Sequence, residues 1–392
     1  MTQTKVRNEI LSKVQFVFNK TKRTIVIFCD ISVDTDDLAA ILMIACKQGY
    51  NVVIVCCGKD PLKKARYAQG VVDTLSQRGL DVSHIQILAG TDCNVKEETL
   101  EHQFAPLPFE MSEESDINTN WEEFLYEVLL NSSAKSVMVL GIGPMTDLCK
   151  FMFQNSALVK QKVNSLSLMC DVDVSSGQIN DDWGLPMYGG ANNGTFDAKA
   201  TPALYAKMFE EEFFIKTIIL SNIATSQCKI GYQFYNDLVK QSDNHPIAEV
   251  FTAKQQAGLK HLWQRCASSE ATSLRGSLPL DRNSHWFNTV FCSGLIPEKE
   301  YGNLDFDPIG YLIETRQEAV VKFQLYDAMA LLALLLSIEN HDKYLEFFNP
   351  VKVNNLDIIG FDKDNNGVLN PKSILEEIFS LMLQSLQGCK MP

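Results

Sequence analysis

Thr24–Ala45 reads TIVIFCDISVDTDDLAAILMIA, and its interpretation decides the fold. An unbroken apolar run, Ile25 to Cys29, ends in Asp30. A short loop follows, closed by the pair Asp36-Asp37, after which Leu38, Ile41, Leu42 and Ala45 recur at helical spacing. The stretch is therefore expected to be a buried strand, a tight acidic loop and a helix N-terminus. Four carboxylates (Asp30, Asp34, Asp36 and Asp37) crowd the carboxyl end of that strand. Like charges so close repel unless a cation or hydrogen-bond donors stand among them. An oxygen-only cluster suits a hard ion such as Ca²⁺ or Mg²⁺.

Outward from this stretch, apolar runs alternate with helical patterns. NVVIVCC (51–57) is a second buried strand, and Gly58-Lys59-Asp60-Pro61 leads from it into a helix that runs to about Arg78. Strands are expected at 85–89, 136–140, 163–169 and 214–220, with helices between them, and 93–120 reads as a surface insertion. Such alternation implies a parallel sheet covered on both faces, with ligands bound at the carboxyl ends of its strands. From about Ser221 to Lys322 the pattern weakens into helices and a loop-rich cap. VVKFQL (320–325) is expected as a last strand, delivering Tyr326-Asp327 to the head of an apolar helix. Asp at a helix start is most often an N-cap, which is the bland reading for Asp36 and Asp327 alike.

Composition narrows the function classes. The chain has 392 residues, 46% hydrophobic and 21% charged, so a sizeable core is expected. A net charge of −13 argues against nucleic-acid or anionic-membrane partners, because no basic surplus is left to neutralise phosphates. Eleven scattered cysteines, without a CxxC pair, read as reduced buried thiols and a cytoplasmic, reducing compartment. No signal-peptide core or membrane span is evident, and export by a route that uses no N-terminal signal stays open.

The strand, D-x-x-x-x-x-D-D and helix, then GPMTD (143–147), then Asp327 at a late helix head together resemble the inosine–uridine preferring nucleoside hydrolases. The resemblance covers roughly Thr24 to His341. It implies an α/β fold with a mostly parallel central sheet flanked by helices. To that core this chain adds the helical, loop-rich cap and a C-terminal extension. The expected divisions are a lead-in at 1–22, the nucleoside hydrolase-like domain at 23–345 and the extension, packed on it, at 346–392. The implied activity is cleavage of the N-glycosidic bond of a ribonucleoside or nucleotide-like small molecule, with Ca²⁺ in the pocket. Family members are often dimers or tetramers, so a homo-oligomer is compatible with the resemblance.

Carried over residue by residue, the family pattern D-x-D-x-x-x-D-D is incomplete. Asp30, Asp36 and Asp37 match its first, third and fourth acids, and Ser32 stands at the second, which in the family binds the ion and acts as base. The resemblance assigns ion contacts to Asp30, Asp37, the Ile142 carbonyl and Asp327. Asp36 would hold ribose hydroxyls. Lys59 replaces an Asn found after the corresponding Gly in many members, and is carried as a substrate contact. Asn192 and Asn193 fall in the expected ribose loop, with Ala191 at the position of its Glu. Tyr326 takes the place of a His that serves the leaving group.

These departures bear on chemistry. Glycosidic hydrolysis needs an activated water on one face of the ribosyl cation-like transition state and help for the departing base. Serine cannot act as a base at neutral pH without a base of its own. Two rescues are consistent with the sequence: Asp34 swings in as base, or Asp30 moves to the ion. Tyr326 is the candidate acid. Loss of a carboxylate also weakens an ion site. Three readings follow: a divergent N-ribosyl hydrolase, a catalytically inactive relative that binds a ribose ligand or a protein partner, and an ion-dependent structural protein. A second acidic stretch, DKDNNGVL (362–369), copies the start of an EF-hand loop. It has Ser373 at the closing position and Pro371 where the exiting helix would begin, so a decorated turn is favoured.

Overall fold

A computed structural model describes residues 18–31, 35–92, 107–170, 193, 197, 199–208, 215–268, 274–275, 278, 280–317 and 321–388. In chain order the elements are β1 (Arg23–Cys29), α1 (Asp36–Ala45), β2 (Tyr50–Gly58), α2 (Pro61–Gln77), β3 (Ile85–Asp92), α3 (Trp121–Asn131), β4 (Val137–Gly141), α4 (Met145–Gln154), α5 (Ser156–Lys162) and β5 (Val163–Met169). There follow α6 (Ala200–Met208), β6 (Lys216–Leu220), α7 (Asn222–Thr225), β7 (Lys229–Gly231), α8 (Tyr232–Gln241), α9 (Pro246–Ala267), α10 (Ser284–Phe291) and α11 (Pro308–Glu314). The chain closes with β8 (Lys322–Gln324), α12 (Tyr326–Glu339), α13 (His341–Phe347), β9 (Val351–Val353), β10 (Leu356–Ile359) and α14 (Pro371–Gln387).

The central sheet has eight strands in the order β3-β2-β1-β4-β5-β6-β10-β9, all parallel except the β10–β9 pair. Its strands are nearly continuous apolar runs because both faces are covered. One face carries α1, α2, α12 and α14, and the other carries α3, α4 and α6. Strand order reverses between β1 and β4, which flank one another although β2 and β3 lie on the far side of β1. A cleft opens at such a switch point. The fold thus places the carboxyl ends of β1 and β4, residues 30 and 142, at the mouth of that cleft.

Helices α1 and α12 are apolar all round and buried almost throughout, as expected of helices sandwiched inside an α/β layer. They pack along each other, and α14 packs along α1.

Two expectations change. The run at 320–325 yields only β8, which pairs antiparallel with β7 in a separate two-stranded sheet, not with the central one. A short apolar run reveals extended backbone but not its partner, and here the partner belongs to the cap. Residues 351–359, within the expected extension, join the central sheet: β10 pairs parallel with β6, and β9 closes the edge antiparallel. The DKDNNGVL stretch forms a turn in which Asp362 Oδ1 accepts from the amides of Asp364 and Asn365 at 2.9 and 2.7 Å. Residues 1–17 of the lead-in and 93–106 of the expected insertion lie outside the described residues.

Among the described residues no helix is long and apolar enough to cross a membrane. The described cysteines are free thiols, and all but Cys46 are buried.

Because β9, β10 and α14 complete the sheet and cover α1, a chain ended after Phe347 is expected to be insoluble or to lack a cooperative melt. Circular dichroism on the truncated protein checks this, and a sharp transition near that of the full chain would contradict it.

Candidate functional site

β1 ends in Asp30, and the chain re-enters a helix at Thr35. Thr35 occupies the N-cap position of α1, but its hydroxyl makes no capping bond. It is used instead by the cap: Oγ1 donates to Gln255 Oε1 on α9 at 2.9 Å and lies 3.1 Å from the Tyr235 hydroxyl on α8. The acidic loop is thus clasped from above by two helices that the sequence reading left as an undivided cap.

Asp36 and Asp37 form the first turn of α1, and Asp327 lies in the first turn of α12. Since these helices pack together, their N-termini bring the three carboxylates into one cluster. One oxygen from each lies within 4.8 Å of the others. Asp37 and Asp327 are both 4% exposed, while Asp36 is half-buried. Positive helix ends favour carboxylates there. Burial nevertheless pushes the Asp37 carboxyl well above the usual carboxylate range, and the charges of Asp30 and Asp36 add to the rise, while the Lys64 ammonium opposes it. Asp37 Oδ1 is buried with no hydrogen-bond partner among the described residues. An all-oxygen donor set with an unsatisfied buried oxygen fits a hard divalent cation such as Ca²⁺.

Asp30 stands beside this trio at the end of β1, in contact with the β4 loop. Gly143 packs so tightly there that a Cβ would lie 2.8 Å from the Asp30 amide nitrogen and 3.0 Å from its Oδ1. The Ile142 amide donates to Phe28 O at 2.8 Å, fixing that loop on β1. The Ile142 carbonyl accepts from Asn193 Nδ2 at 3.0 Å, and the same amide reaches Met169 O at 3.3 Å. Asn193 therefore ties the ends of β4 and β5 together, and the Ile142 oxygen keeps a second lone pair. Tyr326 opens α12 directly before Asp327 and is half-buried. Lys59 is half-buried in the loop after β2. Ser32, Asp34 and Asn192 lie outside the described residues.

Beneath the carboxylates sits a layer of thiols. A hydrogen bond with Cys56, its partner on the neighbouring strand, and then burial hold the Cys29 thiol well above its ordinary range. Burial, followed by the Asp147 charge, does the same for Cys57. Both thiols stay neutral, Cys29 on the side of the sheet that carries α1 and Cys57 on the opposite side.

Three residues were not singled out by sequence reasoning: Thr35, Lys64 and Asp147. Nothing in the local pattern marks Thr35 or Lys64. Asp147 was visible as the last residue of GPMTD, where the resembling family has Asn. It is 1% exposed, and its Oδ2 accepts from the Thr91 amide at 2.9 Å, joining α4 to the end of β3. Burial raises its carboxyl above the usual range, against the hydrogen bond from Thr91.

Two outcomes follow from these contacts. Thr35→Val removes both clasping bonds and should cost roughly 1–2 kcal/mol in denaturant melts. Asp147→Asn keeps an acceptor for Thr91 and removes a buried charge. A raised carboxyl penalises the folded state at pH values above its folded pKa, and the penalty disappears below the unfolded value. The variant should therefore melt above the wild type at neutral pH, and the difference should vanish as pH falls through the carboxylate range. A difference independent of pH would contradict this.

No protein-family model matches the chain, and no curated protein sequence matches it. Solved structures do. The type III effector protein XopQ, complexed with adenosine diphosphate ribose, superposes with a TM-score of 0.72 at 20% identity, covering 98% of this chain and 100% of that one. The effector protein XOO4466 gives 0.71 at 20%, with the same coverage. A purine-preferring ribonucleoside hydrolase from Gardnerella vaginalis gives 0.57 at 11%, covering 93% of this chain and 99% of the other. At these identities the likeness speaks for the backbone. With its eight-stranded, mostly parallel sheet and flanking helices, the chain has a nucleoside hydrolase-like fold.

Proposed function

We propose that this protein is a divergent N-ribosyl hydrolase that takes a ribonucleoside or a nucleotide-like ligand at the carboxyl ends of β1 and β4. The observation that carries the reading is the convergence of Asp36, Asp37 and Asp327 within 4.8 Å at the strand-order switch point. Vicinal hydroxyls of a ribose are donors, and a recessed set of carboxylate oxygens is the matching acceptor. The relatives in fold include a purine-preferring ribonucleoside hydrolase and an effector complexed with adenosine diphosphate ribose, which supports the same ligand chemistry.

In this reading Asp37, Asp327, Asp30 and the Ile142 carbonyl hold a divalent ion. Such an ion, when bound, supplies positive charge that acidifies the attacking water. Asp36 accepts from ribose hydroxyls, and Asn192, Asn193 and Lys59 serve as further substrate contacts. Water adds to C1′ as the C1′–N bond breaks. The bonding pair leaves with the base, which collects a proton from Tyr326, while Asp34 takes the proton of the water in place of the carboxylate missing at Ser32.

A second reading has its own support. Ser32 brings no carboxylate to the base position, and burial favours the protonated form of Asp37. Both favour binding without turnover.

Base release from a panel of nucleosides, nucleotides and adenosine diphosphate ribose, with Ca²⁺ present, separates the two. The first reading expects turnover of at least one ligand, reduced about a hundredfold or more by Asp34→Ala. Binding by calorimetry without turnover, weakened about tenfold or more by Asp36→Ala, supports the second. Gain of hydrolysis in Ser32→Asp would then identify the missing base as the cause. Absence of binding throughout would sink both.

A further inference from the structure

We propose that Tyr235 is a positioning residue for the acidic cluster, one buried side chain that holds both chain segments leading into the helix heads of Asp36, Asp37 and Asp327. Tyr235 lies in α8 and is fully buried. A buried phenol needs a partner for its hydroxyl. The Tyr235 hydroxyl lies 3.1 Å from Thr35 Oγ1. Thr35 has one hydroxyl proton, which goes to Gln255 Oε1 at 2.9 Å. The phenol therefore donates and the threonine oxygen accepts, so the Tyr235–Thr35–Gln255 chain runs in one direction. Thr35 immediately precedes Asp36.

The ring of the same residue reaches the other arm. Its centroid is 5.6 Å from that of Phe323, with the planes tilted by 55°. Phe323 is the middle residue of β8, from which the chain passes through Gln324 and Leu325 to Tyr326 and Asp327 at the head of α12. Strand β7 leads directly into α8 and pairs with β8, Ile230 opposite Phe323. The Tyr235 ring is itself held by Phe251 of α9, stacked at 5.6 Å and 24°, and by Phe234, met edge-on at 5.8 Å. A fixed ring with a fixed hydroxyl is a spacer between the two lead-ins.

The bodies of α1 and α12 pack along each other, which sets their axes, while Tyr235 sets how their first turns begin. The consequence for a ligand rests on the reading of the carboxylate trio proposed above. Binding constellations tolerate misplacement of only about 0.5 Å, so loosening either head weakens recognition. The two roles are separable, since the hydroxyl serves α1 and the ring serves α12.

Amide hydrogen exchange on the full chain, without ligand, tests this at the first bond of each helix. Those bonds run from the Ala39 amide to Thr35 O at 2.9 Å and from the Met329 amide to Leu325 O at 3.1 Å. Tyr235→Phe keeps the ring, so Ala39 should exchange roughly tenfold faster and Met329 at the wild-type rate. Tyr235→Leu should release both. Thr35→Val should release Ala39, with little added by Tyr235→Phe, and Thr35→Ser should release neither. Tyr344→Phe deletes another buried hydroxyl, bonded to Asp357 at 3.2 Å, and should leave both amides unchanged. If Tyr235→Leu does not fold, Phe323→Leu removes the ring contact from the other side and should release Met329 alone. Acceleration spread evenly over the chain, or none at these two amides, overturns the proposal. Calorimetry with adenosine diphosphate ribose and Ca²⁺ reads the consequence: Tyr235→Phe should bind about tenfold more weakly than the wild type. Unchanged affinity with a loosened head also overturns it. If the exchange pattern holds and the wild type binds no ligand, Tyr235 stands as the spacer of the cluster and the ligand reading fails.

Discussion

Everything at the candidate site depends on bringing like charges together out of water. Asp37 and Asp327 are nearly inaccessible, with Asp36 between them, on two helices that pack side by side. Mutual repulsion at that distance is offset only where the local field is positive. The first turns of α1 and α12 provide part of it, each aiming its unsatisfied amide groups at the cluster. Burial offsets a further part by favouring the neutral carboxyl at Asp37. The wholly apolar bodies of α1 and α12 are what hold the arrangement in place, since burying those helices between sheet and α14 fixes where their charged ends must meet.

The reading from sequence succeeded where local pattern and structure share a period. Ile25–Cys29, Asn51–Cys57 and Val163–Met169 are apolar runs between turn signals, and each forms a strand at the expected place. The acidic loop was legible because residues adjacent in sequence stay adjacent in space. Asp327 was legible because a strand-like run led into an apolar helix, although that run turned out to pair with β7 in the cap. What escaped was long-range. Lys64 reads as one lysine in a basic helix start, Lys63-Lys64, and only the helix register decides that one of the pair is half-buried and the other almost wholly enclosed. The clasp on Thr35 joins residues 200 and 220 positions apart, and no periodicity carries that information.

The thiols under the cluster show how a floor can be made dry without being inert. Cys29 ends β1, and Cys56, its partner near the end of β2, faces the same side of the sheet as α1, while Cys57 faces the other side. Larger apolar side chains would lift the loops above them, and hydroxyls would bring donors and water. A thiol is small and nearly apolar; at Cys29 the hydrogen bond with Cys56 and burial oppose the thiolate, and at Cys57 burial and the Asp147 charge do so. The same dryness raises the carboxyl of Asp37, so the layer sets the electrostatic terms on which an ion or a ribose would bind.

Ser32 and Lys64 push in the same direction. A serine at the second position of the acidic pattern removes one negative charge from the loop, and the charge of the buried Lys64 opposes the effect of the neighbouring carboxylates on Asp37. Each makes the assembled carboxylates cheaper to hold and less able to attract a divalent cation. A site that depends on an ion for catalysis gains nothing from either change. A site that must present acceptor oxygens to ribose hydroxyls, with or without an ion, loses little, because Asp36 is half-buried and the cluster stays assembled around it. On the proposed reading, the serine at position 32 favours ligand binding over turnover, and turnover depends on whether Asp34 can stand in for the missing carboxylate.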